Sequence, residues 1–324
     1  MLNQKIFSTD PELRSTRDGF SDGLVLAADE NPNVVALCAD LTESVKMDAF
    51  AKKYPERFIE VGIAEQSMAS VASGMAAIGK VPFMASYAIF SPGRNWEQIR
   101  TTICYNNSNV KIIGSHGGVT VGEDGGSHQC LEDIALARVL PNMTVIVPCD
   151  AIEAKKATLA AAKIKTPVYI RLSRPKTPVI AAEETFFEIG KSRIFFTPKE
   201  SAQAGIVACG PLVYNSLKVA KELESEGIFV SVLNLATIKP LDEEGILRFV
   251  ESSGGKIITV EEHQIYGGMG GAVAEFLARV RPTPMEFVGA KDTFGQSGKP
   301  DELIEHYAMG ESSIKEAVKK VLKR

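Results

Sequence analysis

The sequence has no paired cysteines, no basic excess and no long apolar run, and each absence excludes a class of protein. None of its five scattered cysteines forms a Cys-x-x-Cys pair, so reduced, buried thiols are favoured over disulfide, metal or redox roles. Lys plus Arg number 36 against 40 Asp plus Glu, a balance that argues against nucleic-acid partners. No stretch approaches the ~20 apolar residues of a membrane span, and residues 1–10 contain no signal segment. We therefore expect a cytoplasmic protein without a membrane partner.

The pattern of apolar residues predicts an α/β protein. The 324 residues suffice for about two domains. Short apolar runs alternate with helical patterns, which is typical of mostly parallel sheets covered by helices on both faces, the doubly wound class. The first half contains predicted strands at 34–39, 57–61, 82–86, 111–115, 144–148 and 167–172, and helices at 18–29, 65–78, 95–104, 131–138 and 151–162. The second half contains predicted strands at 204–209, 230–234, 256–260 and 285–289, and helices at 213–226 and 271–280.

Two prolines interrupt this alternation between the halves. Residues 174–178 cannot form regular structure, because proline fixes φ and removes a donor. A second α/β series then begins near residue 204. We place the boundary near residue 185, which gives two consecutive doubly wound domains at 1–185 and 186–324.

Glu65 is the first candidate for chemistry. It follows the predicted strand 57–61 and opens a helix, so it lies where open α/β sheets bind ligands. On local sequence alone, a helix-capping acid is the favoured interpretation. The helix that follows is small and apolar nearly all round, which predicts that it is buried together with its first turn. A buried carboxylate there needs a specific partner.

A glycine-rich loop, residues 114–129, is the second candidate. It follows strand 111–115 and carries two of the four histidines, His116 and His128, with Glu123 and Asp124 between them. The histidines lack the short spacing of paired metal ligands, and the phosphate-loop pattern is absent. The loop is better interpreted as a lid or wall over an organic substrate.

Aromatic and basic residues give weaker signals. Tyr87 and Phe90 follow a strand; alone they favour core packing, with a stacking wall as the functional alternative. Arg17, Arg171 and Arg174 lie near strand ends, where surface positions are more common than anion ligands.

Taken together, these segments resemble the second and third domains of transketolase, a thiamine diphosphate (TPP) enzyme. Val-Gly-Ile-Ala-Glu-Gln at 61–66 resembles the family's G-[VI]-x-E-[HQ] motif. Gly-Glu-Asp-Gly-Gly-Ser-His-Gln at 122–129 resembles its G-E-D-G-P-T-H-Q and departs at Gly126 and Ser127. The segment 140–150 also matches in order and spacing. The resemblance is strong from residue 14 to 174 and weak beyond.

The resemblance implies roles in binding the cofactor. Glu65 would hydrogen-bond N1′ of the TPP aminopyrimidine and favour its imino tautomer. Phe90 and Tyr87 would pack against the pyrimidine ring, and Asp40 would line the cofactor cleft. The family's third aromatic falls on Gly93, so this wall is thinner here.

The resemblance also implies a substrate site. Glu65 and His128 are the expected catalytic residues, and His128 lies near the donor sugar. Asp124 would read a substrate hydroxyl. The sugar-phosphate ligands would be Arg17, Ser44, His116 and Arg174. Glu43 stands where the family usually has proline, and no role carries over for His263, for which a structural or interface position is favoured.

One family motif is missing. Transketolases hold the diphosphate through Mg²⁺ with a G-D-G…N motif, and no Gly-Asp-Gly occurs in these 324 residues. The resemblance therefore implies the C-terminal half of a split transketolase. An N-terminal partner subunit would supply the diphosphate-binding domain and hold Mg²⁺ or Ca²⁺, with no metal site on this chain. TPP would be shared at the subunit interface of a heterotetramer.

The expected reaction is transfer of a two-carbon ketol unit from a ketose phosphate to an aldose phosphate, in the pentose phosphate pathway or a specialised sugar pathway. Three alternatives remain. A 1-deoxyxylulose-5-phosphate synthase shares Gly-Ile-Ala-Glu-Gln, but its loop usually lacks the Glu before Asp124. The β subunits of 2-oxo acid dehydrogenases carry a His-His-Ser-Gln pattern that is absent here. A non-catalytic paralogous subunit would keep the fold alone.

Overall fold

Six parallel strands form most of the first sheet in the computed structural model, which describes residues 2–324. These strands are nearly continuous apolar runs, as expected for strands buried on both faces. In chain order they are β2 Val34–Cys38, β3 Phe58–Glu60, β4 Val81–Tyr87, β5 Lys111–Ser115, β6 Thr144–Ile146 and β7 Val168–Arg171. Across the sheet they run β6-β7-β5-β4-β2-β3. A separate two-residue pair joins β1 Leu13–Arg14 to β8 Thr177–Pro178.

Helices cover both faces of this sheet. Ser15 caps the first helix through a capping box with Asp18, and Asp150 caps the sixth by accepting from the Glu153 amide. The six helices are α1 Thr16–Glu30, α2 Asp48–Lys53, α3 Glu65–Ala77, α4 Trp96–Gln98, α5 Asp133–Arg138 and α6 Ala151–Lys163. Helices α1 and α6 pack closely because Gly19 lets the backbone of Ala151 approach.

The second sheet has five strands in the order β14-β13-β10-β11-β9, and only β9 is antiparallel. These strands are β9 Arg193–Phe196, β10 Ala204–Ala208, β11 Val230–Asn234, β13 Ile257–Gln264 and β14 Met285–Ala290. Its helices are α7 Leu212–Ser225, α8 Glu243–Ser252, α9 Met269–Val280, α10 Pro300–His306 and α11 Glu311–Val321.

One strand of the second half belongs to the first sheet. Strand β12, Thr237–Lys239, pairs antiparallel with β6 at the sheet edge. A single hydrophobic cluster also includes buried residues of both halves, among them Leu140 and Leu235. The two halves therefore share a sheet and a core.

The doubly wound α/β class is confirmed, and the strands at 111–115 and 230–234 match to the residue. The predicted helix 95–104 is present from Trp96, where a short α-helical turn continues as a π-helix, Ile99–Cys104. The segment 174–178 is not wholly irregular, because its end pairs with β1. The boundary near residue 185 stays a prediction.

Helix α3 is not buried all round. Its inner face, with Met68 and Ala69, is buried, but Gln66, Ser70 and Gly74 are exposed, and Val71 is 43% exposed. Alanine, serine and glycine are found on exposed helix faces as well as on buried ones. The composition of α3 therefore did not distinguish its buried face from its exposed face. Among the helices of residues 2–324, none has the length and apolarity of a membrane span.

Candidate active site

The sequence-predicted residues surround the carboxyl ends of the first sheet's strands. Asp40 follows β2, Glu65 follows β3, and Tyr87 ends β4. His116 directly follows β5, and Arg174 lies just after β7. Because parallel strands end at one edge, residues far apart in sequence meet in one crevice.

Glu65 is a buried carboxylate with a charged partner. It is the first residue of α3 and is 2% exposed. Its Oε2 accepts a hydrogen bond from Arg94 Nη1 at 2.9 Å, and its backbone oxygen accepts from Asn95 Nδ2 at 3.0 Å. The helix N-terminus adds favourable dipole charge. The expected burial of this carboxylate is confirmed.

Arg94 is a site residue that the sequence analysis missed. Its side chain is 48% exposed, and its guanidinium lies 4.7 Å from the centroid of the Phe90 ring, a cation–π distance. It thus connects the carboxylate of Glu65 to the aromatic wall. The four-residue separation of Phe90 and Arg94 was an available signal, because residues so spaced on a helical turn are neighbours.

Four rings form a continuous wall in the crevice. Tyr87 stacks on His116 with centroids 3.8 Å apart and on Phe90 at 6.0 Å. The ring of His128 meets Phe90 edge-on at 5.6 Å. The end of β4, the turn after it and the glycine-rich loop therefore supply one aromatic surface, which suits a flat ring.

No side chain fits at Gly93 on this backbone. A Cβ placed there would lie 2.0 Å from the carbonyl oxygen of Ile89. An aromatic at this position would require a different turn after β4. The aromatic wall therefore lacks a third ring at Gly93 because the backbone of Ile89 leaves no room for a side chain there.

Two arginines cross-link the loops at the other end of the crevice. Arg17 Nη1 donates to the Ser44 carbonyl and Nη2 to the Arg174 carbonyl, both at 2.6 Å. Its Nε is buried and has no hydrogen-bond partner within residues 2–324. Arg174 donates to the Val121 carbonyl and lies 2.9 Å from Glu123 Oε2. An unpartnered guanidinium N–H beside a second arginine suits an anionic ligand.

His116 is neutral in this setting. Burial, aided by the nearby charges of Arg17 and Arg174, lowers its pKa to about 2. Its Nδ1 lies 2.8 Å from Ser115 Oγ. A hydroxyl that donates to Nδ1 leaves the proton on Nε2, so the ring can offer a neutral donor to a ligand. The residue sits at φ 56°, a left-handed conformation that is costly for a side-chain-bearing residue.

Asp40, Asp124 and Ser44 are less tightly placed. Asp40 is exposed at φ 58°, and its amide donates to Glu60 Oε1 at 2.7 Å. Asp124 is exposed on the glycine-rich loop. Ser44 contributes its carbonyl to Arg17. These residues lie on the crevice rim, and their roles stay predictions.

Arg171 is a structural residue, because its charge is already paired. It is buried, with Nε 2.8 Å from Asp133 Oδ2 and Nη2 donating to the Glu262 carbonyl at 2.7 Å. The hydroxyl of Tyr169 donates to the same Asp133 oxygen. Anion binding by Arg171 is therefore not supported.

His263 and the glycine run at 267–271 are also structural. His263 is buried; Nδ1 lies 2.7 Å from the Gln264 carbonyl, and Nε2 accepts from the Ala135 amide at 3.4 Å. The carboxylate of Glu261 accepts from the Met269 and Gly270 amides at 2.6 and 2.8 Å. That carboxylate fills the N-terminus of α9, so the run is a tight helix entry.

The described part of the chain offers no cluster of three or more His, Cys, Asp or Glu side chains that could hold a metal. All five cysteines are free and buried. The crevice instead combines a buried carboxylate, an aromatic wall and two arginines. Its residues fit a flat heteroaromatic ring with a nitrogen near Glu65 and a phosphate near Arg17.

Comparisons with known proteins point the same way. The family model "Transketolase, pyrimidine binding domain" matches residues 13–179, and "Transketolase, C-terminal domain" matches residues 197–314.

Three relatives match nearly end to end. A "Putative transketolase C-terminal section" of Methanocaldococcus jannaschii is 40% identical over 96% of this chain and 97% of its own. A "6-deoxy-6-sulfo-D-fructose transketolase subunit" of a Clostridium species is 37% identical, with 95% and 94% covered. A solved structure titled "Split gene transketolase, inactive beta4 tetramer" is 42% identical, with a TM-score of 0.88 and coverage of 95% and 98%.

Proposed function

This chain belongs to the transketolase family, and on that premise we propose that it is one subunit of a split transketolase. It would take part in moving a two-carbon ketol unit from a ketose phosphate to an aldose phosphate. The observation that carries the proposal is the buried carboxylate of Glu65 at the start of α3, in the same crevice as the aromatic wall.

The pyrimidine-binding domain implies that the chain binds thiamine diphosphate. Glu65 would accept a hydrogen bond from the aminopyrimidine, Tyr87 and Phe90 would pack on its ring, and Asp40 would line the rim. The cofactor supplies the carbon nucleophile of ketol transfer, and the protein tunes protonation and position. We assign the diphosphate and its Mg²⁺ or Ca²⁺ to the partner subunit, since the sequence has no Gly-Asp-Gly.

Proton control at this site falls to Glu65. Its carboxylate now accepts from Arg94 at 2.9 Å, and a protonated ring nitrogen would donate to the same carboxylate in its place. Arg94 can yield because half of its side chain is in water, where an ion pair contributes little. Glu65 then keeps a hydrogen-bond partner in either state, as a buried carboxylate requires.

The opposite end of the crevice would bind the sugar phosphates. Arg17 offers its free Nε, Arg174 a second cation, and His116 a neutral N–H. Ser44 lies beside them through its contact with Arg17. Charge-assisted donors from several loops suit a dianionic phosphate.

Asp124 and His128 would contact the sugar between phosphate and cofactor. Both lie on the loop that carries His116, and the ring of His128 faces Phe90. His128 could donate to a substrate oxygen there, whereas the carboxylate of Asp124 could accept from a hydroxyl.

The partner would be an N-terminal subunit with the diphosphate-binding domain, in a heterotetramer. Two matched relatives are named as a section or a subunit of transketolase, and the solved relative's title describes an inactive β4 tetramer. The exposed face of α3 begins at Gln66, directly after the buried Glu65, so a chain covering that face would also close the crevice.

We place the reaction in the cytoplasm, because five free, buried thiols fit a reducing compartment. The pentose phosphate pathway is the proposed setting. One relative is named for a sulfosugar, so a specialised ketose is the second candidate. Assays with both classes of donor distinguish them.

The test is Glu65→Gln in the complex with the diphosphate-binding subunit, compared with Glu43→Gln on the exposed rim. Glutamine keeps the volume but alters the proton sharing. We expect ketol transfer to fall by about 10²–10⁴-fold, while TPP binding and assembly persist and Glu43→Gln stays near wild type. Unchanged turnover in Glu65→Gln would contradict the proposed role.

A further inference from the structure

Residues 116–129 of the glycine-rich loop, which we call the histidine loop, are in contact with the second half of the chain. The segment 292–300, which we name the clasp, starts just after β14, ends at the first residue of α10 and runs along the loop. Helix α10 packs against the loop's 3₁₀ segment, Val119–Asp124. The same loop carries the rings of His116 and His128, which contact Tyr87.

Gln129 is the main connection between loop and clasp. It is 4% exposed. Its Nε2 donates to the carbonyls of Val119 at 3.0 Å and, across the domain junction, Gln296 at 2.9 Å. The amides of His128 and Gln129 both donate to the Gly125 carbonyl, at 2.9 and 3.1 Å. A displacement of Gln129 therefore moves His128 with it.

Glycines on both sides permit this contact. A Cβ on Gly295 would lie 1.7 Å from Gln129 Oε1. A Cβ on Gly126 would lie 2.6 Å from the Gly295 carbonyl, and one on Gly125 would lie 2.6 Å from Ser297 Oγ. The loop and the clasp are therefore packed so closely that there is no room for a Cβ at these glycines.

Strand β13 is hydrogen-bonded to both the histidine loop and the clasp. Glu262 Oε1 accepts from the Thr120 amide at 2.8 Å, and the Gln264 amide donates to the Leu131 carbonyl at 2.8 Å. The side chain of Gln264 donates to the Thr293 carbonyl at 2.7 Å. One strand therefore ties the start of the loop, the residues after it and the clasp together.

We propose that the clasp is a positioning element for the reaction. Through Gln129, and with Glu262 of β13, it fixes the loop that carries His116, Asp124 and His128. The inference rests on the proposed function, and it gives the second half of the chain a part in that reaction without contact to substrate. A glycine-rich loop is mobile unless its backbone is tied down, and a misplacement of about 1 Å in a catalytic group can cost about 10²-fold in rate.

Gly295→Ala tests the contact in the chain alone. The new methyl group should displace Gln129 and speed amide hydrogen exchange in residues 119–130 by at least about tenfold. Gly271→Ala is the matched control. Gly271 lies in helix α9, and a Cβ at this position would meet no atom closer than 3.7 Å. If amide exchange in residues 119–130 is as slow in Gly295→Ala as in the wild type, the inference is overturned.

The complex with the partner subunit tests the consequence. Gly295→Ala should lower kcat/KM for the sugar phosphates by at least about tenfold, with the dissociation constant of TPP unchanged. In a Gln129→Ala background, the same substitution should cause no further loss, because the side chain it displaces is gone.

The two arms separate the two proposals. An inactive wild-type complex would count against the proposed function, while the exchange result alone would still decide whether the clasp positions the loop. The positioning role would be overturned if an active Gly295→Ala complex had the wild-type kcat/KM. It would also be overturned if Gly295→Ala lowered kcat/KM by the same factor in the wild-type and Gln129→Ala backgrounds.

Discussion

At the scale of single residues, the site is defined by how its charges are paired. Glu65 is buried and needs a partner, and Arg94 supplies one while remaining half in water. Arg17 spends two N–H groups on loop carbonyls and keeps Nε without a partner among the described residues. The crevice therefore combines the Glu65 carboxylate, whose hydrogen-bond partner can be replaced by a ligand, with the Arg17 guanidinium, which still has one N–H unpaired within residues 2–324.

His116 provides a residue-scale prediction. Because burial, together with Arg17 and Arg174, lowers its pKa to about 2, its ring should stay neutral across the whole physiological range. We expect its imidazole C–H resonances to be constant between about pH 5 and pH 8. NMR titration, with His116→Gln to assign the signal, measures this directly. A midpoint for this ring near its ordinary value of 6.5 would show that it takes up a proton there.

At the scale of elements, α3 has one buried face that packs on the sheet and one exposed face of small residues. Gly74 lies on that exposed face, where an added Cβ would meet no atom within 4 Å, and Val71 is 43% exposed. Small side chains allow another helix or chain to approach closely. The face is therefore where the proposed assembly can be blocked without disturbing the fold.

Gly74→Arg should weaken assembly without destabilising the chain. A helix gains about 0.5–1 kcal/mol when an interior glycine is replaced, whereas a bulky cation would obstruct a close contact. Gly74→Ala is the matched control, since it gains the same helix propensity and stays small. Analytical ultracentrifugation of the chain, alone and with its partner, reports assembly, and thermal unfolding reports stability. Assembly of the arginine variant equal to that of the alanine variant would exclude this face.

Sequence patterns predicted elements best where a single physical rule dominated. The runs at Lys111–Ser115 and Val230–Asn234 are apolar strands between polar turns, and both were placed to the residue. The exposed face of α3 was not foreseen, because alanine, serine and glycine are compatible with either environment. Strand β12 was missed because three residues gain their conformation from a partner strand about 90 positions away.

The site shows the same division. Glu65 could be found because its position after a strand and before a helix has a local meaning. Its pairing with Arg94 joins residues 29 positions apart, and the contact of Gln129 with Gln296 joins residues 167 apart. Contacts at such separations depend on tertiary packing, and no local pattern encodes them.

At the scale of the whole molecule, a buried polar contact connects the two halves. Asn234 Nδ2, at the end of β11, donates to Glu153 Oε1 in α6 at 2.7 Å. The Cys149 amide donates to Glu153 Oε2 at 2.7 Å. Burial, with the nearby charge of Asp150, raises the pKa of Glu153 to about 7. This junction is therefore sensitive to pH.

Glu153 should make the chain less stable as pH rises. Its folded pKa of about 7 exceeds the ordinary 4.5, so the native state binds the proton more tightly than the unfolded chain. The resulting stability is complete below pH 4.5 and is lost as pH rises to about 7. Glu153→Gln removes the titration. If the Asn234 amide turns over, its Oδ1, which is buried without a partner among the described residues, takes the place of Nδ2 and accepts from the new amide.

Urea unfolding at about pH 5 and pH 8 measures this effect. We expect Glu153→Gln to be more stable than wild type at pH 8 by about 1–3 kcal/mol and to vary less with pH. Glu316→Gln, on the exposed side of α11, controls for the loss of one negative charge. A wild-type stability that rises between these pH values, with the same slope in Glu153→Gln, would contradict the prediction.

Strand β12 protects the first sheet from aggregation. A terminal strand presents unpaired N–H and C=O groups to any other extended chain, which makes it a template for aggregation. Here β6 would be that strand, and Thr237–Lys239 from the second half covers it. A chain cut between the halves would leave the β6 edge unpaired, so the second half shields the first half's sheet from pairing with other chains.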